Sequence, residues 1–154
     1  MVRPKLLLNY IGKIIIIVGI AMLSSVICAL YYGESIVLKL LFVSLLTISI
    51  GMLLSIMFKH SRDLNYREGF AIVTLSWIAV SFFGSLPYVV SGHVFSYADA
   101  MFETVSGFST TGATIFSDVE ILPKSILFWR SLTQWLGGMG IIALFVAIIV
   151  GMGA

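Results

Sequence analysis

Long apolar runs dominate the chain, and four of them are long enough to cross a bilayer, which takes about 20 mostly apolar residues. They extend over roughly residues 11–32, 40–58 and 69–90, and from Pro123 towards the C-terminus. Short polar segments separate the runs, and Pro123 suits the first turn of a helix. The pattern predicts an all-α, multi-pass integral membrane protein whose first two runs form an N-terminal hairpin.

A shorter segment between the third and fourth runs has a different character. Residues 97–108 place apolar side chains such as Met101 and Val105 at helical spacing. A helix of this length extends about 18 Å, too short for a hydrocarbon core of about 30 Å. A polar stretch, 109–114, and a polar return, 117–120, follow it. We therefore predict a re-entrant hairpin that enters and leaves the membrane on one side.

The polar stretch 109–114 predicts a cation-selectivity filter. A polar segment at membrane depth must be buried in protein or line a water-filled cavity, and carbonyl oxygens can replace the water that a cation loses there. Gly112 lets consecutive carbonyls turn in one direction, and a helix ending near Gly107 would add the negative end of its dipole. The carbonyls predicted to coordinate the ion belong to Thr110, Thr111, Gly112 and Ala113.

The composition indicates that lipid is the main solvent of the chain. Of its 154 residues, 60% are hydrophobic and 10% charged, whereas soluble domains carry about 25% charged residues. The formal net charge of +2 is too small to predict a nucleic-acid partner. The single cysteine, Cys28, cannot form an internal disulfide and has no nearby metal-ligand partners, so we predict no redox or metal role for it.

The basic residues predict that the N-terminus is cytoplasmic. This orientation places six basic residues inside and three outside, which obeys the positive-inside rule. The inner six are Arg3, Lys5, Lys13, Lys59, Arg62 and Arg67, and the outer three are Lys39, Lys124 and Arg130. The hairpin then enters from the outer face, beneath a weakly acidic mouth that would concentrate cations.

Two stretches together carry a specific resemblance. Residues 98–114, ADAMFETVSGFSTTGAT, resemble the first pore loop of Trk-type potassium uptake proteins of the Trk/Ktr/HKT superfamily. Residues 128–140, FWRSLTQWLGGMG, and the preceding 122–124, LPK, resemble the helix that follows that loop. The resemblance extends over essentially the whole chain, because this family also begins with two extra helices.

The resemblance implies a potassium-channel-like pore repeat and a function. The fold would contain two N-terminal transmembrane helices in 1–66, which also holds a cytoplasmic loop, and then the first pore unit in 67–154. The parts of that unit would be an outer helix 67–92, a pore helix 97–108, a filter 109–114 and a second helix 123–152. The implied function is potassium uptake at the plasma membrane, the bacterial inner membrane, with the potassium ion as the transported ligand and no organic cofactor.

The resemblance also implies partners and an ion preference. Family members assemble as dimers and carry a cytoplasmic nucleotide-binding regulatory subunit, in addition to contacting membrane lipid. The filter glycine, here Gly112, is associated with potassium preference, and a serine there with sodium permeation. A sodium-permeable transporter is one alternative. Another is a non-conducting structural or assembly protein; an enzyme is not predicted, because no nucleophile pairs with a base at membrane depth.

One large departure from the family concerns the number of pore units. The family has four in one chain, and this sequence contains one, without internal repeats. A truncated or split product is the favoured explanation, and a homotetramer is the alternative.

Five residues are predicted to support the filter: Glu103, Gly107, Thr114, Arg130 and Gln134. Arg130 is predicted to pair with Glu103 or Asp99 and so hold the pore helix, with snorkelling to the membrane interface as the alternative. For Gln134, support of the filter and simple helix packing stay open. Helix approach, a bend or a gating hinge stays open for the later helix glycines, which are Gly137, Gly138 and Gly140.

Overall fold

The computed structural model describes residues 3–58, 66–94 and 96–152. For Tyr66 and residues 141–152 it describes the backbone alone. Six helices make up the described fold. They are α1 (Pro4–Tyr31), α2 (Val37–Met57), α3 (Tyr66–Gly84), α4 (Leu86–Ser91), α5 (Tyr97–Phe108) and α6 (Lys124–Met152). The all-helical fold class is confirmed, and α5 begins and ends where the short helix was predicted.

Three segments of the described residues are long and apolar enough to cross a membrane. They are Pro4–Tyr31, Val37–Met57 and Arg67–Ser91, which correspond to the first three predicted runs. The fourth predicted run corresponds to α6, whose later side chains lie outside the described ones. The chain is therefore an integral membrane protein in which α5 is the short element.

The predicted outer helix 67–92 is in fact two helices that meet at Ser85. Pro87 lies in the first turn of α4, and a proline lacks the N–H that would continue the preceding helix and clashes with the carbonyl four residues before it. Gly92, with φ of 75°, ends α4 in the left-handed conformation. The break directs the chain from the end of α3 towards α5.

The hairpin of α1 and α2 packs through small residues. A Cβ atom added to Gly12 would lie 2.8 Å from the carbonyl oxygen of Gly51, and one added to Gly51 would lie 2.8 Å from that of Gly12. Such close approach of two backbones is the usual way in which small residues strengthen helix contacts in lipid, where no hydrophobic force draws helices together. The Asn9 amide adds a hydrogen bond to the carbonyl of Ser55, at 2.6 Å.

Two carboxylates join the hairpin to the remaining helices. Arg3, just before α1, binds Glu68 in α3 through Nε and Nη2, both at 2.7 Å, and this hydrogen bonding raises the pKa of Arg3. At the other end, Glu34 in the α1–α2 connection accepts hydrogen bonds from the backbone N–H and hydroxyl of Ser125. Glu34 thereby caps the first turn of α6, where a negative charge is favourable.

A hydrophobic core surrounds the start of α6. Trp129 is fully buried and donates its indole N–H to the carbonyl of Gly84, at 2.9 Å. Tyr88 of α4 is also fully buried. These contacts hold α3, α4 and α6 around α5. The division of the chain at 66/67 stays a prediction, and the connecting loop 59–65, with Lys59 and Arg62, lies outside the described residues.

Candidate functional site

The site is built on α5, whose two ends are both closed by local hydrogen bonds. At its start, the hydroxyl of Ser96 accepts a hydrogen bond from the N–H of Ala98, at 3.1 Å, and Asp99 lies in the first turn. Both features stabilise a helix N-terminus. Glu103 and Ser106, three residues apart, are buried on one face, so α5 presents polar groups towards the segment that follows it.

The end of α5 closes in a Schellman motif. The N–H of Thr110 donates to the carbonyl of Gly107, at 2.9 Å, and the N–H of Thr111 to that of Ser106, at 3.0 Å, which is the pairing that defines this motif. Its left-handed position is usually glycine, but here it is Thr110, with φ of 57°. Among the residues that the structure describes, Thr110 is the one non-glycine residue with a positive φ.

This closure determines where several carbonyls of the predicted filter point. In a trans peptide the C=O of one residue is antiparallel to the N–H of the next. Because the N–H of Thr111 points back to α5, the carbonyl of Thr110 points away from it. The same reasoning holds at the other end, where the N–H of Ile115 binds Glu103 at 2.6 Å, so the carbonyl of Thr114 points away from Glu103.

Glu103 joins three elements behind the segment. Its Oε1 accepts hydrogen bonds from the hydroxyl of Thr114 and the N–H of Ile115, both at 2.6 Å, and its Oε2 binds Nε of Arg130 at 3.2 Å. The Glu103 side chain is 1% exposed. A buried carboxylate with three donors is well satisfied, and it connects α5, the end of the filter segment and α6.

Ser106 contacts the same segment one turn later. Its hydroxyl donates to the carbonyl of Ala113, at 2.6 Å, which occupies one of the two lone pairs of that oxygen. Ala113 therefore differs from Thr110, whose carbonyl is directed away from α5. Ser106 was not among the predicted support residues, although its spacing of three residues from Glu103 places both on one helical face.

The opposite side of the segment is open. All residues from 109 to 115 are exposed in the described structure. Gly112 has φ of 77°, and a Cβ atom there would meet no atom within 4 Å. The left-handed conformation, and not crowding, thus accounts for glycine at this position. The segment has one face tied to the protein and one face free.

Two glycines seat the end of α5 against α6. A Cβ atom at Gly107 would collide with the hydroxyl of Thr133, and one at Gly137 would collide with the backbone of Phe108. Gly107 is thus a close-packing residue, and its support of the filter stays a prediction. Gly137 is a site of close approach, whereas a Cβ at Gly140 would meet nothing within 4 Å.

The remaining predicted support residues, Arg130 and Gln134, differ in their contacts. The ion pair expected for Arg130 is present with Glu103, and Asp99 takes no part in it. Gln134 is half-buried and makes no hydrogen bond to any described residue. The described residues contain no group of three or more His, Cys, Asp or Glu side chains placed to hold a metal ion.

Comparison with known proteins identifies the family of the chain. A family model described as TrkH, cation transport protein, matches residues 39–154. The chain belongs to the TrkH family. Over 151 residues it is 34% identical to the TrkH potassium uptake protein of Halomonas elongata, covering 97% of this chain and 31% of that protein. An uncharacterized cation transporter of Methanocaldococcus jannaschii is 41% identical over 138 residues, 90% of this chain and 29% of that protein.

A solved structure supports the same assignment. The crystal structure of the potassium transporter TrkH from Vibrio parahaemolyticus superposes with a TM-score of 0.87 at 33% identity, over 94% of this chain and 31% of that one. The TrkH-family chain thus spans less than a third of the length of these relatives. The family resemblance predicted from 98–114 and 128–140 is confirmed.

Proposed function

We propose that this chain takes part in potassium uptake across the plasma membrane and supplies one filter segment of the ion pathway. In this proposal the carbonyls of Thr110, Thr111 and Gly112 coordinate the dehydrated cation. The carbonyl oxygen of Ala113 contributes its second lone pair, because the first accepts the hydrogen bond from Ser106. The other filter segments come from additional polypeptide, since this chain covers 31% of the solved relative and carries one such segment.

The observation that carries the proposal is the pair of left-handed residues, Thr110 and Gly112, at alternate positions of an open segment. A β-branched residue in this conformation is strained by about 1–2 kcal/mol, and such strain tends to occur at functional sites. In an ordinary strand successive peptide groups face opposite sides. Left-handed residues at every second position change this alternation, which favours carbonyls on one side.

Hydrogen bonds to α5 also keep the segment in a fixed position, as a cation filter requires. A coordinating ring must keep its oxygens in place once water has left the cation. Glu103 and Ser106 tie the segment down from behind, while its front stays exposed. Relatives named as potassium uptake proteins make potassium the favoured ion.

The test is Gly112→Ser compared with Gly33→Ser. Both glycines have positive φ, 77° and 63°, and a Cβ atom added to either would meet no atom within 4 Å, so the two substitutions impose similar backbone strain. Potassium and sodium uptake are measured in cells that lack their own uptake systems. We expect Gly112→Ser to lower the potassium-to-sodium preference and Gly33→Ser to leave it unchanged.

The same assay is run with the chain alone and with a chimera in which it replaces the matching segment of Escherichia coli TrkH. If the chimera takes up potassium and the short chain does not, each chain of this kind supplies one filter segment. Uptake by the short chain alone would instead favour a homotetramer. If both glycine variants alter protein yield equally and neither alters ion preference, the hairpin is a packed structural loop and the proposal is wrong.

We extend the proposal to the assembly and the membrane orientation of the chain. By family resemblance we expect a dimer, a cytoplasmic nucleotide-binding regulatory subunit, and a cytoplasmic N-terminus in the bacterial inner membrane. Accessibility of cysteines introduced at Lys5 and at Lys124 to an impermeant thiol reagent, in a Cys28→Ser background, tests the orientation. Labelling of position 124 and not position 5 in intact cells is the expected result.

A further inference from the structure

An apolar groove opens between α1, α3 and α6 at the level where α5 ends. Its volume is about 430 Å³, within the range of about 300–1,000 Å³ for small-molecule sites. Its walls include Ile17, Val73, Trp77, Phe108 and Gly140. Ile17, Val73 and Trp77 lie on helices long enough to span a membrane, and Phe108 ends the short helix, so the groove opens at membrane depth.

The lining selects an occupant that is apolar along its length. Apart from the indole of Trp77, the one polar side chain among the described lining residues is Ser76. Ser76 is 6% exposed, and its hydroxyl has no hydrogen-bond partner among the described residues. A polar ligand or a column of water would find too few partners here to remain. A hydrocarbon chain meets no such requirement.

A positive charge stands at one end of the groove. Lys13 is exposed and lies four residues before Ile17 on the same face of α1, about 6 Å along the helix axis. Its ammonium lies 4.9 Å from the ring centroid of Tyr10. A lipid with a chain beside Ile17 would therefore bring its headgroup within reach of this flexible side chain, which attracts phosphate.

We propose that this groove binds one acyl chain of an anionic phospholipid, with the headgroup phosphate at Lys13. The chain packs against Trp77 of α3 and against Phe108, the last residue of α5. Phe108 is also the residue that packs on Gly137. The lipid therefore contacts the junction that holds α5 against α6. This inference does not depend on ion conduction.

Native mass spectrometry of the full chain tests the site. The purified protein is mixed with phosphatidylglycerol or with phosphatidylcholine of the same acyl chains, and the lipid retained per chain is counted. We expect one retained phosphatidylglycerol, at about fivefold higher occupancy than phosphatidylcholine, the preference that one lysine at a membrane surface provides. Lys13→Gln should abolish the preference, and Lys39→Gln, at the other end of the hairpin, should preserve it.

Gly140→Leu tests the groove itself. A Cβ at Gly140 meets no atom within 4 Å, and Gly140 lines the groove, so a leucine there places its side chain at the groove. We expect loss of the retained lipid, whereas the neighbouring Met139→Leu should retain it. Equal retention of the two lipids by the unaltered chain, or full retention by Gly140→Leu, would overturn the proposal. If Gly140→Leu does not give native helix content, Ile17→Trp serves as the blocking variant.

Fluorescence quenching locates the chain independently. In a Trp135→Phe background, which removes the exposed indole, phosphatidylglycerol with dibrominated acyl chains should quench the protein more strongly than brominated phosphatidylcholine. Adding Trp77→Phe should remove the difference, because Trp129 is fully buried. Equal quenching by the two lipids, or a difference that survives Trp77→Phe, would place the lipid elsewhere and contradict the site.

Discussion

The N-terminal hairpin and the re-entrant unit both bring backbones close at glycines, but the re-entrant unit also holds its backbone through a buried carboxylate. In α1 and α2 the contact is reciprocal, with the two backbones touching at Gly12 and Gly51. In the unit formed by α5, the following segment and α6, a buried carboxylate, Glu103, collects donors from separate elements. Apolar contact suits two regular helices, whereas an irregular segment has backbone groups that must find polar partners within the protein.

This difference also separates the kinds of damage that the two regions should suffer. A glycine contact fails when volume is added, and two helices can relieve the overlap by moving apart. A polar centre fails when a group is removed, because its partners lose their hydrogen-bond acceptor and the paired charge loses its counter-ion. Five substitutions test this contrast, and their expected effects decrease from the first to the last.

The greatest loss is expected from Glu103→Ala. It leaves Arg130 without its counter-ion and two donors without an acceptor, for an expected loss of about 3–5 kcal/mol in the free energy of unfolding. The measurement is unfolding in mixed detergent micelles, followed by circular dichroism. Glu103→Gln keeps an acceptor for Thr114 and Ile115 and should cost less. Equal losses for Ala and Gln would show that the charge of Glu103, and not its hydrogen bonds, matters.

Gly137→Ala should follow, with a loss of about 3 kcal/mol, because the added methyl group meets the backbone of Phe108 and cannot be relieved by a rotamer change. Gly140→Ala is the matched control on the same helix, and it should be neutral or slightly stabilising. Thermal unfolding of both variants in the same detergent gives the comparison. A Gly137→Ala protein as stable as Gly140→Ala would mean that α5 and α6 can separate as freely as α1 and α2.

Gly51→Ala tests the hairpin in the same manner. The nearest atom would lie at 2.8 Å, and the two helices can shift, so a loss of about 1–2 kcal/mol is expected. Gly69→Ala, with no atom within 4 Å, serves as the control. The hairpin and the re-entrant unit would be energetically alike if Gly51→Ala cost as much as Gly137→Ala.

Glu34→Gln tests the link between the two regions. It removes the charge from the first turn of α6 while keeping an oxygen acceptor for Ser125, so a loss of about 0.5–1 kcal/mol is expected. The corresponding link at the other end, Arg3→Gln, should reduce stability independently, and the two losses should add because the sites are far apart. Strong non-additivity in the double variant would show that the hairpin docks as one rigid piece.

The weakest effect is expected from Thr110→Gly. Relief of the left-handed strain is offset by the greater freedom of glycine in the unfolded chain and by loss of the Thr110 hydroxyl contact to the carbonyl of Ser109. The net change should be within about 1 kcal/mol, in the stabilising direction, as measured by the same thermal unfolding. A loss above that limit would indicate that the threonine side chain, and not the backbone, holds the closure.

Much of the site was predictable because it is local. The bounds of α5 follow from a run of helical spacing that ends at glycine and hydroxyl residues. The Arg130–Glu103 pair was predictable because a buried charge in a membrane helix needs a partner. Glu34 and Ser106 were not singled out, since their partners, Ser125 and the carbonyl of Ala113, come from other parts of the fold.

By itself, the sequence determined the membrane solvent, the order of long and short helices, the family and the glycine of the predicted filter. These depend on apolar length, on helical period and on a motif confined to neighbouring residues. Only the tertiary structure decided the seat of Phe108 on Gly137 and the rear attachment of residues 109–115. Each of these depends on which backbone groups meet across separate helices. That outcome follows from three-dimensional packing and hydrogen-bond satisfaction, which spacing along one chain does not specify.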